Sequence, residues 1–251
     1  MKAPFLIFSA LLLTLISCGE TNYKVSKIEG KQIAIKDSIL ANDSILDFIA
    51  PYKERLAQEM DSVLAYAPNN LSETNRDLNI ALGNMMADAV MELSNPVFKA
   101  RTGNNLDMVL LNHGGIRSSI NKGAVTTKTA YQLMPFENEV VVAHLKGEQI
   151  KEIVRYLIEG QTAHPIAGME LALDANNEIQ KALVQGKPIQ DDKIYYVATN
   201  DYLYEGGDNM NFFSKSQEVT ALDYKIRNIL IDYFKLKDTI APVVDQRFIR
   251  N

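Results

Sequence analysis

The sequence predicts an α+β fold, a mixed sheet with helices packed against it. Three observations lead there. Apolar residues recur at three- and four-residue spacing in "IALGNMMADAVMEL" and "EQIKEIVRYLIEG", the period of a helix with one buried face. "LDMVLL", "EVVVAHLKG" and "KIYYVAT" are apolar runs that read as buried strands. Helices and strands do not follow a strict strand-helix-strand repeat, so a doubly wound α/β sheet is disfavoured.

The elements follow in order. Residues 1–17 read as a signal peptide, with a positive start at Lys2 and the apolar run "PFLIFSALLLTLI", which is short for a bilayer span. Residues 18–43 read as a tether and a short hairpin, because "KVSKIEGKQIAIK" alternates around Glu29-Gly30. Residues 44–251 read as the folded domain. Asp43 or Ser44 is placed to cap a helix, and Pro51 points to a helix start near that residue. Ile45, Phe48, Ile49, Leu56, Met60, Val63 and Leu64 are its apolar positions.

In the next helix, Leu82, Met85, Met86, Ala89, Val90 and Leu93 share a face, and Asn95-Pro96 is expected to end it. In "EQIKEIVRYLIEG", Ile150, Ile153, Val154, Leu157 and Ile158 form the face and Gly160 is placed as the C-terminal cap. "MELALD" and "IQKALVQ" flank Asn176-Asn177 as a hairpin. A last helix is expected from Asp223 to about Lys235.

Composition limits the function classes. Hydrophobic residues make up 47% and charged residues 23% of the 251 residues, enough for a packed core. The net charge is -5 and no Lys/Arg block occurs, which argues against binding a nucleic-acid polymer through its phosphates. Cys18 is the single cysteine, so an intrachain disulfide and a thiolate metal site are excluded. Leu15-Ile16-Ser17-Cys18 closes the apolar run and resembles a bacterial lipobox. That resemblance implies lipidation of Cys18 and an exported lipoprotein of the cell envelope, tethered to the outer membrane on its periplasmic or surface face.

The sequence carries no Walker A, dinucleotide-binding glycine fingerprint, HExxH or GxSxG. Its three histidines, His113, His144 and His164, fit no familiar zinc spacing. His144 sits in an apolar strand and reads as structural; His164 precedes Pro165 in a loop and carries no signal.

Three polar clusters remain: Arg76 ahead of Gly83; "NHGGIR", residues 112–117; and "TNDYLYEGGDNMNFF", residues 199–213. The pairs Gly114-Gly115 and Gly206-Gly207 let a backbone turn tightly and approach a ligand. An arginine offers a planar fork to an anion. Rings offer a flat face, and an aspartate accepts from hydroxyls. Together these suit a nucleotide. Taken singly, each has a plainer reading: a turn, a surface arginine, a core tyrosine.

The ordered motifs "LGNMMADAV", "NHGGIRSSI", "MPFEN", "HLKGEQI" and "ATNDYLYEGGDN" resemble the C-terminal, substrate-specificity domain of 5′-nucleotidases and UDP-sugar hydrolases over roughly residues 70–215. The resemblance implies that Arg76 and Arg117 bind phosphate. It implies that Asn112 and Asn138 contact the nucleoside, Asn138 meeting the base. Phe136 and Tyr202 would sandwich the base and Asp208 accept from the ribose hydroxyls. His113 stands where the family has a glycine, Tyr202 where it more often has phenylalanine, and Asn79 where it often has an acid.

Family enzymes hydrolyse with two metal ions in a separate N-terminal domain, held by Asp-x-His, Asn-His and further histidines. The residues ahead of this domain offer no such set. The expectation is therefore no catalytic residue, metal or cofactor in this chain. It would be the nucleotide-recognition half of a phosphoesterase in nucleotide catabolism, with divalent metals on a separately encoded dimetal phosphatase. The alternatives are a free-standing nucleoside- or nucleotide-binding lipoprotein, and a degenerate domain kept for structural or interaction reasons.

Overall fold

The computed structural model describes residues 24–36, 39–74 and 78–251. The chain divides into two units, residues 1–48 and 49–251. The signal peptide, Cys18 and Arg76 lie outside the described residues.

In the first unit, residues 24–36 form no strand. The hairpin expected around Glu29-Gly30 is not formed, and Val25, Ile28, Ile33 and Ile35 stay exposed. A two-stranded ribbon without a covering layer is marginal in water. Helix α1, Asp43–Met60, is capped by Asn42 rather than by Asp43 or Ser44. Asn42 Oδ1 accepts from the Ser44 and Ile45 N–H groups at 3.0 and 3.4 Å, the usual N-cap geometry. The helix begins ahead of Pro51 and runs through it, with no buried residue. Exposure lets water take the Asp47 carbonyl that the proline ring leaves without a donor.

In the second unit, β1 (Val63–Ala67) pairs antiparallel with β3 (Gly123–Thr126); Val63 and Leu64 thus belong to a strand. Helix α2, Ala81–Thr102, buries Leu82, Met85, Met86, Ala89 and Val90 as expected. It does not stop at Asn95-Pro96. Phe98 is fully buried beyond the proline, and Asn95 Oδ1 accepts from the Leu106 N–H at 2.8 Å. Those contacts outweigh the roughly 3 kcal/mol cost of an interior proline. Asn79 bonds the C-terminal segment, donating to the Phe248 carbonyl at 2.8 Å and accepting from Asn84 Nδ2 at 3.0 Å.

The central sheet has the order β10-β4-β9-β2-β5, from β2 (Met108–Leu110), β4 (Glu139–Lys146), β5 (Ile166–Ala167), β9 (Ile194–Asn200) and β10 (Val219–Lys225). It is mixed: β2 runs parallel to β9, and β4 antiparallel to it. Val109, Val140, Val142 and Ala198 join one apolar cluster, Met108, Leu110, Leu145 and Val197 the other. Burial on both faces explains why these strands read as unbroken apolar runs. Helix α3 (Thr127–Leu133) precedes β4 and helix α4 (Gly147–Gly160) follows it. The left-handed cap of α4 is Gln161, with Gly160 as its last residue. The expected hairpin is β6 (Met169–Leu173) with β7 (Ile179–Val184), which joins β8 (Lys187–Pro188) and β11 (Phe248–Arg250) in a second sheet. Helix α5 is the single turn Asp201–Tyr204, and α6, Ile226–Leu236, starts after the expected Asp223. Asp223 lies in β10 at φ 52°, where the register against β4 slips.

His144 is structural: Nε2 is 3.1 Å from Thr220 Oγ1, and Phe98 and Tyr196 meet its ring edge-on. Burial lowers its pKa.

The topology brings three segments to one sheet edge. β2 and β9 are parallel, so both end there. β4 is antiparallel to β9, with Val140 opposite Asn200, so β4 begins there. Residues 112–117, 135–138 and 201–208 meet at that edge.

Candidate functional site

After β2 the chain enters a tight turn, His113–Gly115, with the Gly115 N–H donating to the Asn112 carbonyl at 3.1 Å. A Cβ on Gly115 would stand 3.0 Å from Asn112 Oδ1, and one on Gly114 would stand 3.4 Å from Asn112 Nδ2. The glycine pair lets Asn112 fold over its own turn. The His113 N–H donates to His164 Nδ1 at 3.1 Å. His164 is buried against Tyr156. Burial, with His113 adding a smaller effect in the same direction, brings its pKa down to about 4. So the ring is neutral at pH 7, with Nδ1 as acceptor. The departure at His113 leaves the turn formed, and the loop histidine without a sequence signal is what anchors it.

Arg117 follows the turn and is exposed. Its N–H donates to the Leu133 carbonyl at 2.9 Å. One guanidinium N–H reaches the Gly114 carbonyl at 3.3 Å, and Cζ lies 5.9 Å from the Phe136 ring centre. The rest of its planar fork has no hydrogen-bond partner among the described residues, as an anion site requires.

Phe136 and Tyr202 are 41% and 46% exposed, so neither is the core ring of the plainer reading. Arg227, from α6, holds the Phe136 loop. Its Nη1 donates to the Pro135 and Phe136 carbonyls at 3.2 and 3.3 Å, its Nη2 bonds Glu137, and Cζ lies 4.2 Å from the Tyr131 ring centre. Lys225 Nζ takes the other Glu137 oxygen at 2.6 Å. Hydrogen bonds from Arg227, then Lys225, hold the Glu137 pKa down at about 2.

Tyr202 lies against the Gly206-Gly207 turn, and a Cβ on Gly207 would run into its ring. Gly206 sits at φ 96° and Asp208 at φ 50°. The Tyr202 hydroxyl donates to Asp208 Oδ1 at 2.9 Å, which raises the hydroxyl pKa. Asn112 Nδ2 donates to Asp208 Oδ2 at 2.7 Å, and the Tyr156 hydroxyl to the Asp208 carbonyl at 3.0 Å. Asn138 Nδ2 donates to Asp201 Oδ1 at 2.8 Å.

Asn112, Gly114, Gly115, Arg117, Phe136, Asn138, Tyr202 and Asp208 therefore share one cleft of about 660 Å³, a volume usual for a small-molecule site. Gly206 and Gly207 shape its Tyr202 side. Sequence reasoning missed Asp201, Arg227 and His164; only the Asp201-Tyr202 adjacency carried any signal. The cleft offers two exposed rings, a carboxylate with one donor on each oxygen and lone pairs to spare, and a cation. Among the described residues, no three His, Cys, Asp or Glu side chains gather as a metal site. The two-metal centre of the resembled enzymes does not fit these residues.

A fold and a cleft of this kind define a ligand-recognition domain. The chain belongs to the 5′-nucleotidase, C-terminal domain family, whose model matches residues 55–215. It is 31% identical over 181 residues to the trifunctional nucleotide phosphoesterase protein YfkN of Bacillus subtilis (strain 168), covering 66% of this chain and 12% of that protein. It is 28% identical over 207 residues to the NAD 5′-nucleotidase of Haemophilus influenzae, covering 74% of this chain and 34% of that one. The crystal structure of a 5′-nucleotidase precursor from Thermus thermophilus shares the fold, with a TM-score of 0.67 at 22% identity, over 83% of this chain and 42% of its own. The chain thus spans less than half the length of each.

Proposed function

We propose that this domain is the nucleotide-recognition half of a 5′-nucleotidase-type phosphoesterase acting in nucleotide catabolism, and that a separate dimetal phosphatase chain supplies the hydrolytic metals. One observation carries the reading: exposed Phe136 and Tyr202 line one cleft with Asp208, which Tyr202 and Asn112 hold in place, and with Arg117. Stacking on the rings suits a base, the Asp208 lone pairs suit a ribose diol, and Arg117 suits a phosphate. Arg76 is assigned to the same phosphate on the family resemblance alone.

Phosphate transfer to water needs an activated hydroxide and charge stabilisation that two metals provide. Arg117 can neutralise phosphate charge but activates no water, so hydrolysis is assigned to the partner. The proposal includes a lipid anchor at Cys18 and a place in the cell envelope, on the Leu-x-small-Cys ending alone. Among the described residues no helix is long and apolar enough to cross a membrane.

The test is phosphate release from nucleotides by this chain, by a co-encoded metallophosphatase, and by both, beside calorimetric titration of the purified protein. Expected are nucleotide binding, no turnover alone, and a gain in the mixture that Arg117→Ala largely removes. Metal-dependent turnover by this chain alone would overturn the split arrangement. Binding without any gain in the mixture would favour the free-standing binding lipoprotein.

A further inference from the structure

The cleft contains three carboxylates besides its rings, and two of them have a donor on each oxygen. Glu137 has both oxygens bonded, one by Arg227 and one by Lys225. Asp208 receives Tyr202 on one oxygen and Asn112 on the other. Asp201 differs. Its Oδ1 accepts from Asn138 Nδ2 and from the Tyr202 N–H, both at 2.8 Å. Its Oδ2 accepts nothing among the described residues, yet Asp201 lines the same cleft as both rings.

Asp201 also fixes its neighbour. An ionised carboxylate only accepts, so Asn138 must turn its NH2 group toward Asp201. That sends Asn138 Oδ1 the other way, and this oxygen has no partner among the described residues. Two acceptors beside the rings are thus left for a ligand, and one of them belongs to a carboxylate. The backbone holds both residues. Asp201 opens the helical turn that follows β9, and the Asn138 carbonyl accepts from the Ile226 N–H at 3.0 Å.

We infer that Asp201 is a specificity-determining residue, and that the cleft takes nucleotides whose base carries an exocyclic amino group over their keto counterparts. This rests on the proposed nucleotide reading and deepens it. A base stacked between Phe136 and Tyr202 turns its edge to the wall beside the rings, where Asp201 and Asn138 stand. An amino group there donates to the carboxylate, a charge-assisted bond. A keto oxygen in the same place sets an acceptor against an acceptor, and the carboxylate loses water without gaining a partner. Rejection of the analogue that lacks the donor is stronger than preference for a better apolar fit.

The experiment uses two matched pairs, AMP against IMP and CMP against UMP, titrated calorimetrically into the mature protein and into Asp201→Asn and Phe136→Ala variants. The wild type is expected to bind the amino member of each pair about 10- to 100-fold more tightly. Asp201→Asn keeps an acceptor for Asn138 and for the Tyr202 N–H and adds a donor, so the preference should collapse toward parity while the melting temperature stays. Phe136→Ala should weaken all four ligands and leave the ratios unchanged, which a purely structural role for Asp201 would not separate. Equal binding within each pair by the wild type, or a preference that survives Asp201→Asn, overturns this inference alone. Failure of all four ligands to bind overturns the nucleotide reading and this inference with it.

Discussion

The Tyr202 hydroxyl reaches across the Gly206-Gly207 turn and donates to Asp208 Oδ1 at 2.9 Å. The bond couples a flat ring to the carboxylate beside it, and phenylalanine at this position would lack it. Gly207 is the glycine that the coupling requires, since a Cβ there would strike the ring. Tyr202→Phe should keep ring stacking but leave Asn112 as the one described donor to the Asp208 carboxylate. Nucleoside binding should weaken by about 1 kcal/mol, with inorganic phosphate binding unaffected. Gly207→Ala should displace the ring and cost more binding than Tyr202→Phe. Calorimetry with nucleoside and with phosphate checks both.

Arg227 is 5% exposed and holds the loop that presents Phe136. Arg227→Ala should free that loop and lower stability by about 2 kcal/mol through unpaired carbonyls, seen in denaturant melts. Its partner Glu137 supplies a pH signature. The folded pKa lies below the ordinary value, at about 2 against 4.5. Its contribution is then complete above about pH 4.5 and fades as pH falls toward 2. Melting temperatures of wild type and Glu137→Gln, compared across that range, should converge at the acid end.

His164 titrates within reach of physiological acid. Its folded pKa is about 4 and its ordinary value 6.5, so the unfolded chain takes the proton first. Stability from the neutral ring is complete above pH 6.5 and is lost as pH falls through 4, by about 3 kcal/mol at most. Protonation of the folded protein, centred near pH 4, also removes the acceptor for the His113 N–H, so the Asn112 turn should loosen as pH falls through that value. A pH series of melts should show this decline in wild type and lack it in His164→Gln. A flat wild-type profile between pH 6.5 and 4 would count against the buried neutral ring.

The helices and central strands were legible because their apolar periods are local. Leu82 to Val90 repeat at helical spacing within one element, and Met108 to Leu110 are buried on both faces. The end of α2 was not legible: Pro96 is a local stop signal, and Phe98 overrides it by packing that no window on the sequence contains. The hairpin near Glu29 failed for the converse reason, since among the described residues no layer covers its alternation. In the cleft, Asn112, the glycine pairs, Arg117 and Asp208 stand out because each ends an element in a turn. Arg227 and His164 do not, because their partners Phe136 and His113 lie far off in sequence and are joined to them only by the fold.

The two rings give the sharpest separation of binding from stability. Burying an aromatic side chain fully makes its removal cost roughly 3–5 kcal/mol of stability. Phe136 is 41% exposed and its loop is held through backbone carbonyls by Arg227, so Phe136→Ala removes little packing and leaves that grip intact. The melting midpoint should move little. A base stacked on the ring should bind more weakly by roughly 1–3 kcal/mol, about fivefold to more than a hundredfold in Kd. Inorganic phosphate, which has no face to stack, should bind Phe136→Ala as it binds the wild type. Thermal melts beside calorimetry with nucleotide and phosphate make the comparison. A large stability loss with nucleotide affinity unchanged would assign the ring to the core and remove the clamp from the site.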